Sequence, residues 1–394
     1  MSSARIDKDA GSPWKTSGAA AAFSSVGRRL FNTSPPKPAS RRSPSTSRTN
    51  ACVSGARSMW PLIPSNKALC RSHSKPDRPS SPVQDSRPAP KASADPELEA
   101  PPAFHASFTA LVTPFDNDGV ATKTFADLVT WQIDEGAQGL VVCSATGEGR
   151  ALAPRERVQI IRIATEAAGN RAPIVADTGT DCTRESVSLT RAAQAAGATA
   201  ALIVTPSYNK PSPPGLFRHY YEIASSVDIP LIVGVDPVRT GVDIGSDTLA
   251  RLAEIENIVG LVDATGDFDR FPRDAFSLRS NFTRLSGDDR ACLMFRLAGG
   301  HGSVSAVANA VPKIWSEMQQ ASTRGDWARA TMIQKQLLPL LSALRMETGP
   351  GPIKYALSFL RPWFNPKVRL PLVPVEYETG SAVVAALGEL ELID

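Results

Sequence analysis

Short apolar runs rich in valine and isoleucine alternate with longer amphipathic stretches from Phe108 onward. Runs of this length, separated by helical patterns, are typical of βα units around a parallel sheet. We predict eight strands, at 108–112, 139–143, 174–177, 200–205, 231–235, 258–262, 283–286 and 302–305. Because eight βα units close a barrel, the pattern predicts an α/β fold, a (β/α)8 TIM barrel.

The stretches between these runs have helical periodicity, as at 122–135 and 154–167. The second of these begins at a proline, where a missing N–H costs little. After the eighth run the helical pattern continues over about 312–345 and again over 352–360, which exceeds what barrel closure requires. We therefore predict a helical extension at the C-terminus.

Composition divides the chain at about residue 104. The first 104 residues hold 15 of the 33 prolines and 16 Lys plus Arg against 7 Asp plus Glu, whereas the rest hold 27 basic and 32 acidic residues. The net charge of +4 thus conceals a basic tail on a mildly acidic body. The tail lacks periodic apolar runs and cannot bury enough surface to offset chain entropy. We predict a disordered tail over 1–104, a barrel over 105–310 and a C-terminal helical extension over 311–394.

Three interpretations of the tail stay open. The chain start is set too far upstream, or the tail is an organelle transit peptide, since it is rich in Arg and Ser and nearly free of acids up to Lys75. Nucleic-acid binding is the third, which the dispersed arginines do not favour. No stretch approaches a membrane span. We expect a cytoplasmic protein, or one of an organelle matrix if the tail is a transit peptide, without nucleic-acid or membrane partners.

The cysteines and glycines give no sign of a cofactor. The five cysteines fit no metal spacing and no even disulfide set, and Cys143, Cys182 and Cys292 in the body are expected to be buried or half-buried apolar residues. No G-x-G-x-x-G follows the first strand of a βαβ unit, and no Walker pattern exists. We therefore predict that the protein uses no cofactor.

Several short motifs occur in one order along the body: Phe108–Phe115, Ala145–Glu148, Val204–Pro211, Gly260–Gly266, Leu285–Asp289 and Gly299–Gly302. Together they resemble segments of the dihydrodipicolinate synthase and N-acetylneuraminate lyase family. The resemblance implies a TIM barrel with a C-terminal helical extension and a site at the carboxyl ends of the strands. It also implies a homo-oligomer, a tetramer or a dimer.

The same resemblance implies an altered reaction centre. In the family, a neutral lysine amine attacks the ketone of pyruvate to form a Schiff base, and this chain has Val262 at that position. A threonine and a tyrosine of the family's proton relay correspond to Ala145 and Gly234, and only the other relay tyrosine is retained, as Tyr208. Because an isopropyl group cannot form an imine, we predict that Schiff-base catalysis has been lost.

Positions that bind substrate are better retained. Thr146 and Gly147 resemble the family's pocket for the pyruvate carboxylate, where hydroxyl and backbone N–H groups accept an anion. Arg239 matches the family arginine that holds a carboxylate of the second substrate, although an arginine at a barrel rim is often solvated or ion-paired. Val304, in the eighth strand, completes the predicted substrate-binding set.

No other lysine is expected to replace the missing one. All but Lys210 lie in predicted helices or peripheral segments, and Lys210 lies in a loop beyond the pocket, whereas a catalytic amine needs a pocket that lowers its pKa. The lysines of the body are Lys123, Lys210, Lys313, Lys335, Lys354 and Lys367.

Two carboxylates, Asp177 and Asp236, follow strands where the family pattern does not lead us to expect them. With Asp263 or Asp288 they suggest a divalent-cation site that would stabilise an enolate. The simpler interpretation is that they cap helices or pair with Arg239, and we favour it because acids without a histidine are a weak metal signal.

Two histidines are given structural roles. His219 lies in a helical pattern and is expected to pack or to face solvent. His301 lies in a Gly-Gly-His-Gly turn that the family shares, and we expect it to form a structural hydrogen bond.

These observations favour a family barrel that has lost Schiff-base catalysis, so whether the chain is an enzyme stays open. It would still bind a small carboxylate or 2-keto acid, or a homologous partner in a mixed oligomer that Tyr208 completes. One alternative is a working lyase or aldolase of the family, a synthase that joins pyruvate to an aldehyde. Another is metal-assisted enolisation at Asp177 and Asp236.

Overall fold

A computed structural model describes residues 104–117, 119–270, 273 and 278–393 of the chain. The predicted basic tail lies outside the described residues. Within them, no helix is long and apolar enough to cross a membrane.

Eight parallel strands form a closed barrel in which each strand pairs with its sequence neighbours and the last pairs with the first. This confirms the predicted TIM barrel, and every predicted strand matches an observed one to within two residues. The strands are β1 (Ser107–Ala110), β2 (Gly139–Val142), β3 (Ile174–Asp177), β4 (Ala200–Val204), β5 (Leu231–Val235), β6 (Ile258–Asp263), β7 (Thr283–Ser286) and β8 (Gly302–Ser305).

Helices follow the strands and continue beyond the barrel. The described helices are α1 (Thr122–Asp134), α2 (Pro154–Ala168), α3 (Thr183–Ala195), α4 (Pro213–Ala224), α5 (Pro237–Thr240), α6 (Ser246–Ala253), α7 (Cys292–Leu297), α8 (Pro312–Thr323), α9 (Trp327–Ala343), α10 (Gly351–Leu360) and α11 (Tyr377–Glu389). Four of them, α2, α4, α5 and α8, begin at a proline, whose missing N–H costs little in the first turn.

The barrel interior is an apolar core and not a channel. Alternate strand residues point inward, and Phe108 fills the space beside Gly139, where any side chain would collide with its ring. The inward set includes Phe108, Val141, Val175, Leu202, Ile232, Val262 and Leu285. Polar chemistry is therefore confined to the ends of the barrel.

The helices after β8 are anchored to the barrel through its first strand. Buried Trp315 of α8 donates from Nε1 to Ser107 Oγ at 3.1 Å. Asn309 accepts from the backbone N–H of Val112 at 3.0 Å and donates to the carbonyl of Ala110 at 2.7 Å. These contacts fix the extension next to the mouth of the barrel.

Candidate functional site

A cavity of about 410 Å³ opens at the carboxyl ends of the strands. This is the end at which TIM barrels carry their sites. The residues proposed from the sequence that line it are Ala145, Thr146, Asp177, Gly234, Asp236, Arg239, Val262 and Val304. The structure thus brings together, at one place, side chains that are far apart in the chain.

A larger cavity of about 1070 Å³ continues from this one beneath the C-terminal extension. It shares Thr146, Asp236 and Arg239 with the first and is bounded farther out by Arg345 and Glu347. The site therefore has a deep part, formed by strand ends, and a wide entrance, formed partly by the extension.

Val262 is part of the apolar core at the floor of the deep cavity. Its side chain is 8% exposed and packs with Leu202, Ile232 and Leu285. Its Cγ1 lies only 3.1 Å from the point where a Cβ on Gly287 would stand. At the position that the family resemblance gives to a lysine, this chain therefore has a packed hydrocarbon.

Gly234 is closely packed against the neighbouring strand β4. It pairs with Val204 of β4 and with Val262 of β6. A Cβ on Gly234 would lie 2.9 Å from Val204 Cγ2 and 3.2 Å from Leu202 Cδ1. A large side chain at this position requires Val204 to move, so the local packing suits a glycine.

The loop after β2 carries the predicted carboxylate pocket in a tightly fixed backbone. A Cβ on Gly147 would lie 2.9 Å from the carbonyl oxygen of Leu111, which explains the glycine, and the carbonyl of Gly147 accepts from Thr113 Oγ1 at 2.7 Å. The next residue, Glu148, has left-handed backbone geometry with φ of 54°. Ala145, at the relay threonine position, is exposed and offers no hydroxyl.

A buried ion pair holds this loop against the C-terminal extension. Lys354 of α10 lies with Nζ 2.5 Å from Glu148 Oε1, donates to the carbonyl of Lys367 at 2.8 Å, and lies 4.2 Å from the ring centre of Phe115. The Lys354 side chain is fully buried. Burial lowers the pKa of Lys354 to about 8, against the opposing effect of Glu148.

Arg369 adds a second contact between the extension and the same loop. Its backbone N–H donates to Glu148 Oε2 at 2.8 Å, and its guanidinium binds both carboxylate oxygens of Glu156, at 2.8 and 2.6 Å. Sequence reasoning missed both Lys354 and Arg369. The available signal was a lysine inside the otherwise apolar start of α10, where a charge needs a buried partner.

All six lysines of the body lie within the described residues, and none lines the deep cavity. Lys210 is exposed, with φ of 43° and its Cε 3.1 Å from the point where a Cβ on Gly241 would stand. Tyr208 is 88% exposed and does not line the cavity either. The tyrosine that the family resemblance gives to the proton relay is thus outside the cavity lining of its own chain.

Arg239 lies at the rim, about half exposed, with Nε 3.4 Å from Asp236 Oδ2. Asp236 Oδ1 also accepts from the backbone N–H of Arg239, which caps α5. This is the simpler of the two roles considered for Asp236. Because the pair is only partly buried, Arg239 can still present its remaining N–H groups to a carboxylate.

The other acids considered for a cation are also engaged in local bonds. Asp263 accepts from the backbone N–H and the hydroxyl of Thr265, at 2.8 and 2.6 Å. Asp288 caps the turn at Arg290 and pairs with Arg345 at 2.9 Å. Among the described residues, no three His, Cys, Asp or Glu side chains form a group that suits a metal ion.

Asp177 differs from Asp263 and Asp288 because it lines the deep cavity, beside buried Arg157. Its Oδ1 accepts from the backbone N–H of Gly179 at 3.1 Å. Burial raises the pKa of Asp177 to about 6, although the charge of Arg157 opposes the shift. Arg157 of α2 donates to the carbonyls of Asp177, at 3.3 Å, and of Gly149. Sequence reasoning did not identify Arg157, which reaches the cavity only through the packing of α2.

The two histidines have the structural roles expected of them. His219 is buried, with Nδ1 2.9 Å from Thr183 Oγ1, and burial lowers its pKa to about 4. His301 lies at the opposite end of the barrel, where its Nδ1 accepts from the backbone N–H of Arg284 at 3.0 Å and its ring stacks on His105.

The cysteines only partly follow the expectation. Cys143 and Cys292 are buried, and burial raises the pKa of each thiol. The prediction was wrong for Cys182, which is exposed just before α3, because it precedes the helix in a surface turn and not on its buried face.

Comparison with known proteins gives one consistent family. The model of the dihydrodipicolinate synthetase family matches residues 103–390. A 4-hydroxy-tetrahydrodipicolinate synthase of Rhodospirillum centenum is 44% identical over 290 residues, which are 74% of this chain and 99% of that protein. One of Chelativorans is 43% identical over 293 residues, 74% of this chain and all of that protein (100%).

Solved structures agree with the sequence relatives. Dihydrodipicolinate synthase of Aquifex aeolicus superposes with a TM-score of 0.72 at 36% identity, covering 73% of this chain and 99% of that one. The chloride-inhibited enzyme of Acinetobacter baumannii, complexed with pyruvate, gives 0.71 at 39% identity with the same coverage of 73% and 99%. A structure described as the first monomeric dihydrodipicolinate synthase variant gives 0.71 at 33% identity, covering 73% and 97%.

Proposed function

Because the chain belongs to the dihydrodipicolinate synthetase family, we propose that it is a family barrel that binds a small carboxylate and does not form the family's imine with pyruvate. The observation that carries the proposal is a deep cavity with Val262 at its floor and no lysine among its described lining residues. An imine needs a neutral amine within bonding distance of the ketone carbon, and a valine side chain has no nucleophile.

Retained polar groups support carboxylate binding. Thr146 and Arg239 both line the deep cavity, and a planar guanidinium suits two-point contact with a carboxylate. A relative of this fold is described in complex with pyruvate, an acid of the size that the cavity admits. The substrate pocket of the family is therefore the place where we expect the ligand.

The proposal is tested by reduction with borohydride in the presence of pyruvate, which would convert an imine to a stable secondary amine. We expect the intact mass of the purified chain to stay unchanged after this treatment. A mass increase by one reduced pyruvate would overturn the proposal, and peptide mapping would then identify the lysine that replaces the missing one.

A working synthase is the second candidate, favoured by relatives that carry the name 4-hydroxy-tetrahydrodipicolinate synthase at 44% identity. It requires an amine in the site, and two lysines to consider are exposed Lys210 and buried, ion-paired Lys354. Neither lines the deep cavity. Consumption of pyruvate together with aspartate semialdehyde by the purified chain would establish this candidate in place of the first.

An oligomeric role is supported by the exposure of Tyr208, which faces away from its own cavity. We propose that this side chain completes the site of an active homologue in a mixed oligomer. Co-expression of the two chains, with a tag on only one, is expected to recover both in fixed ratio. Recovery of separate homomeric assemblies, or of a monomer, would remove this role.

A further inference from the structure

The deep cavity has two unlike walls. On the side of β5 and β6 it is formed by small or apolar residues, among them Gly234, Val262 and Ala264. On the side of β2 and β3 it has Ser144, Arg157 and Asp177, which we call the polar wall. A ligand that enters this cavity meets its hydrogen-bonding groups on the polar wall.

Asp177 and Arg157 of the polar wall are held by backbone groups and not by one another's side chains. Arg157 donates to the carbonyls of Gly149 and of Asp177, and Asp177 Oδ1 accepts from the backbone N–H of Gly179. Among the described residues, Asp177 Oδ2 accepts no hydrogen bond that competes with a ligand. The carboxylate therefore faces the cavity with one oxygen fixed and the other available.

Ser144 also belongs to the polar wall, but its hydroxyl is buried and closed to solvent, with no hydrogen-bond partner in the described part of the chain. The acceptor that a ligand hydroxyl meets on this wall is therefore the available oxygen of Asp177.

We propose that the cavity selects a 2-hydroxy acid, whose hydroxyl donates to Asp177. The inference rests on the carboxylate binding proposed above, in which Thr146 takes the acid group. A hydroxyl can donate to a carboxylate, whereas the oxygen of a 2-keto acid has only lone pairs and would leave Asp177 desolvated and unpaired.

The surrounding charges favour a hydroxyl over an ammonium group. Arg157 and Arg150 both act on Asp177, so a third cation, from an amino acid, would be repelled. The other titratable groups that face Asp177 are Cys143 and Tyr220, and burial raises the pKa of both, so both stay neutral. The polar wall thus offers one anion flanked by guanidinium groups.

Lowering the pH should weaken the preference for the hydroxy acid over the 2-keto acid. Burial holds the pKa of Asp177 near 6, so the group is ionised at pH 7 and largely protonated at pH 5. A protonated carboxyl group donates a hydrogen bond, which suits the oxygen of a ketone. The advantage of the hydroxy acid should therefore fall as the pH drops below 6.

The test is a calorimetric titration of the full chain with propionate, pyruvate and each enantiomer of lactate, at pH 7 and at pH 5. At pH 7 we expect one lactate enantiomer to bind about tenfold more tightly than pyruvate, the worth of one hydrogen bond to a charged group. Asp177→Asn should remove most of this preference. Asp127→Asn, an exposed acid on α1 outside the cavity, is the matched control and should keep it.

Ser144→Ala is the second variant and a control inside the polar wall, because it removes an unpartnered hydroxyl that is closed to solvent and should fold at least as well as the parent chain. It should leave the preference for lactate unchanged. Equal or tighter binding of pyruvate at pH 7, or a lactate preference that survives Asp177→Asn, would overturn the inference while carboxylate binding stands. Failure of all three acids to bind would overturn the carboxylate site itself and this inference with it.

Discussion

At the scale of single residues, three positions separate this chain from the reaction that its family resemblance implies. Val262 is packed in the barrel core, Gly234 is enclosed by Val204, and Ala145 is exposed without a hydroxyl. On the proposal above, each change removes a group that moves protons or electrons. At Gly234 a large side chain also requires Val204 to move, whereas Val262 lines the open cavity.

The packing at Gly234 gives a prediction about stability. Gly234→Ala places a Cβ 2.9 Å from Val204 Cγ2, so we expect the free energy of unfolding to fall by about 1–3 kcal/mol through overpacking. In the background of Val204→Ala the same change should cost much less. Urea unfolding of the two single variants and the double variant measures the coupling.

Gly245→Ala is the matched control, because a Cβ at that position meets nothing within 4 Å. It should change the free energy of unfolding little. Strict additivity of Gly234→Ala and Val204→Ala would show that the two residues do not compete for space.

At the scale of elements, the C-terminal extension helps to build the site. Lys354 on α10 and Arg369 beyond it both bind Glu148, two residues after Thr146 in the loop proposed to bind the carboxylate. An ion pair of this kind, fully removed from water, is costly to break on one side only. The extension therefore holds the loop that carries Thr146 and Gly147 in place.

Lys354→Met should lower the free energy of unfolding by about 3–5 kcal/mol, because it leaves the carboxylate of Glu148 buried without its cation. Lys335→Met, at an exposed position on α9, is the control and should have little effect. In hydrogen exchange the variant should lose protection at residues 145–152 first. Unchanged exchange of that loop would contradict a positioning role for Lys354.

The free energy of unfolding of Lys354→Met should depend on pH differently from that of the parent chain. The pKa of Lys354 is about 8 in the folded chain against an ordinary value of 10.5, so between these values the unfolded chain holds a proton that the folded chain lacks. The contribution of Lys354 to the free energy of unfolding is thus constant below pH 8 and rises from about pH 8 to 10.5. Lys354→Met should lack this rise when both proteins are unfolded in urea across that range.

Sequence periodicity was sufficient for the strands but not for contacts between distant elements. Val262 and Gly234 stand near the carboxyl ends of their predicted strands, which placed both at the same end of the barrel, as the structure shows. Arg157 and Lys354 reach the site from helices, and no local pattern states which face of a helix meets which loop. Helix α11 was included in the predicted extension but not delimited, because its Gly380 weakens the helical signal while allowing close contact with Tyr355.

At the scale of the whole molecule, the barrel separates stability from chemistry. Its apolar interior is filled by inward side chains, and Val262 now belongs to that interior although it stands at the edge of the cavity. The architecture of the family is present and the residues proposed to bind a carboxylate line the deep cavity, while the described lining of that cavity has no amine of lysine. This combination is what the proposed function rests on.

The most direct measurement is the intact mass of the parent chain and of Val262→Lys, each treated with pyruvate and borohydride. A lysine in this partly apolar setting has a lowered pKa and can attack the ketone. We expect the variant to gain the mass of one reduced pyruvate and the parent chain to gain nothing. An adduct on the parent chain would contradict the account.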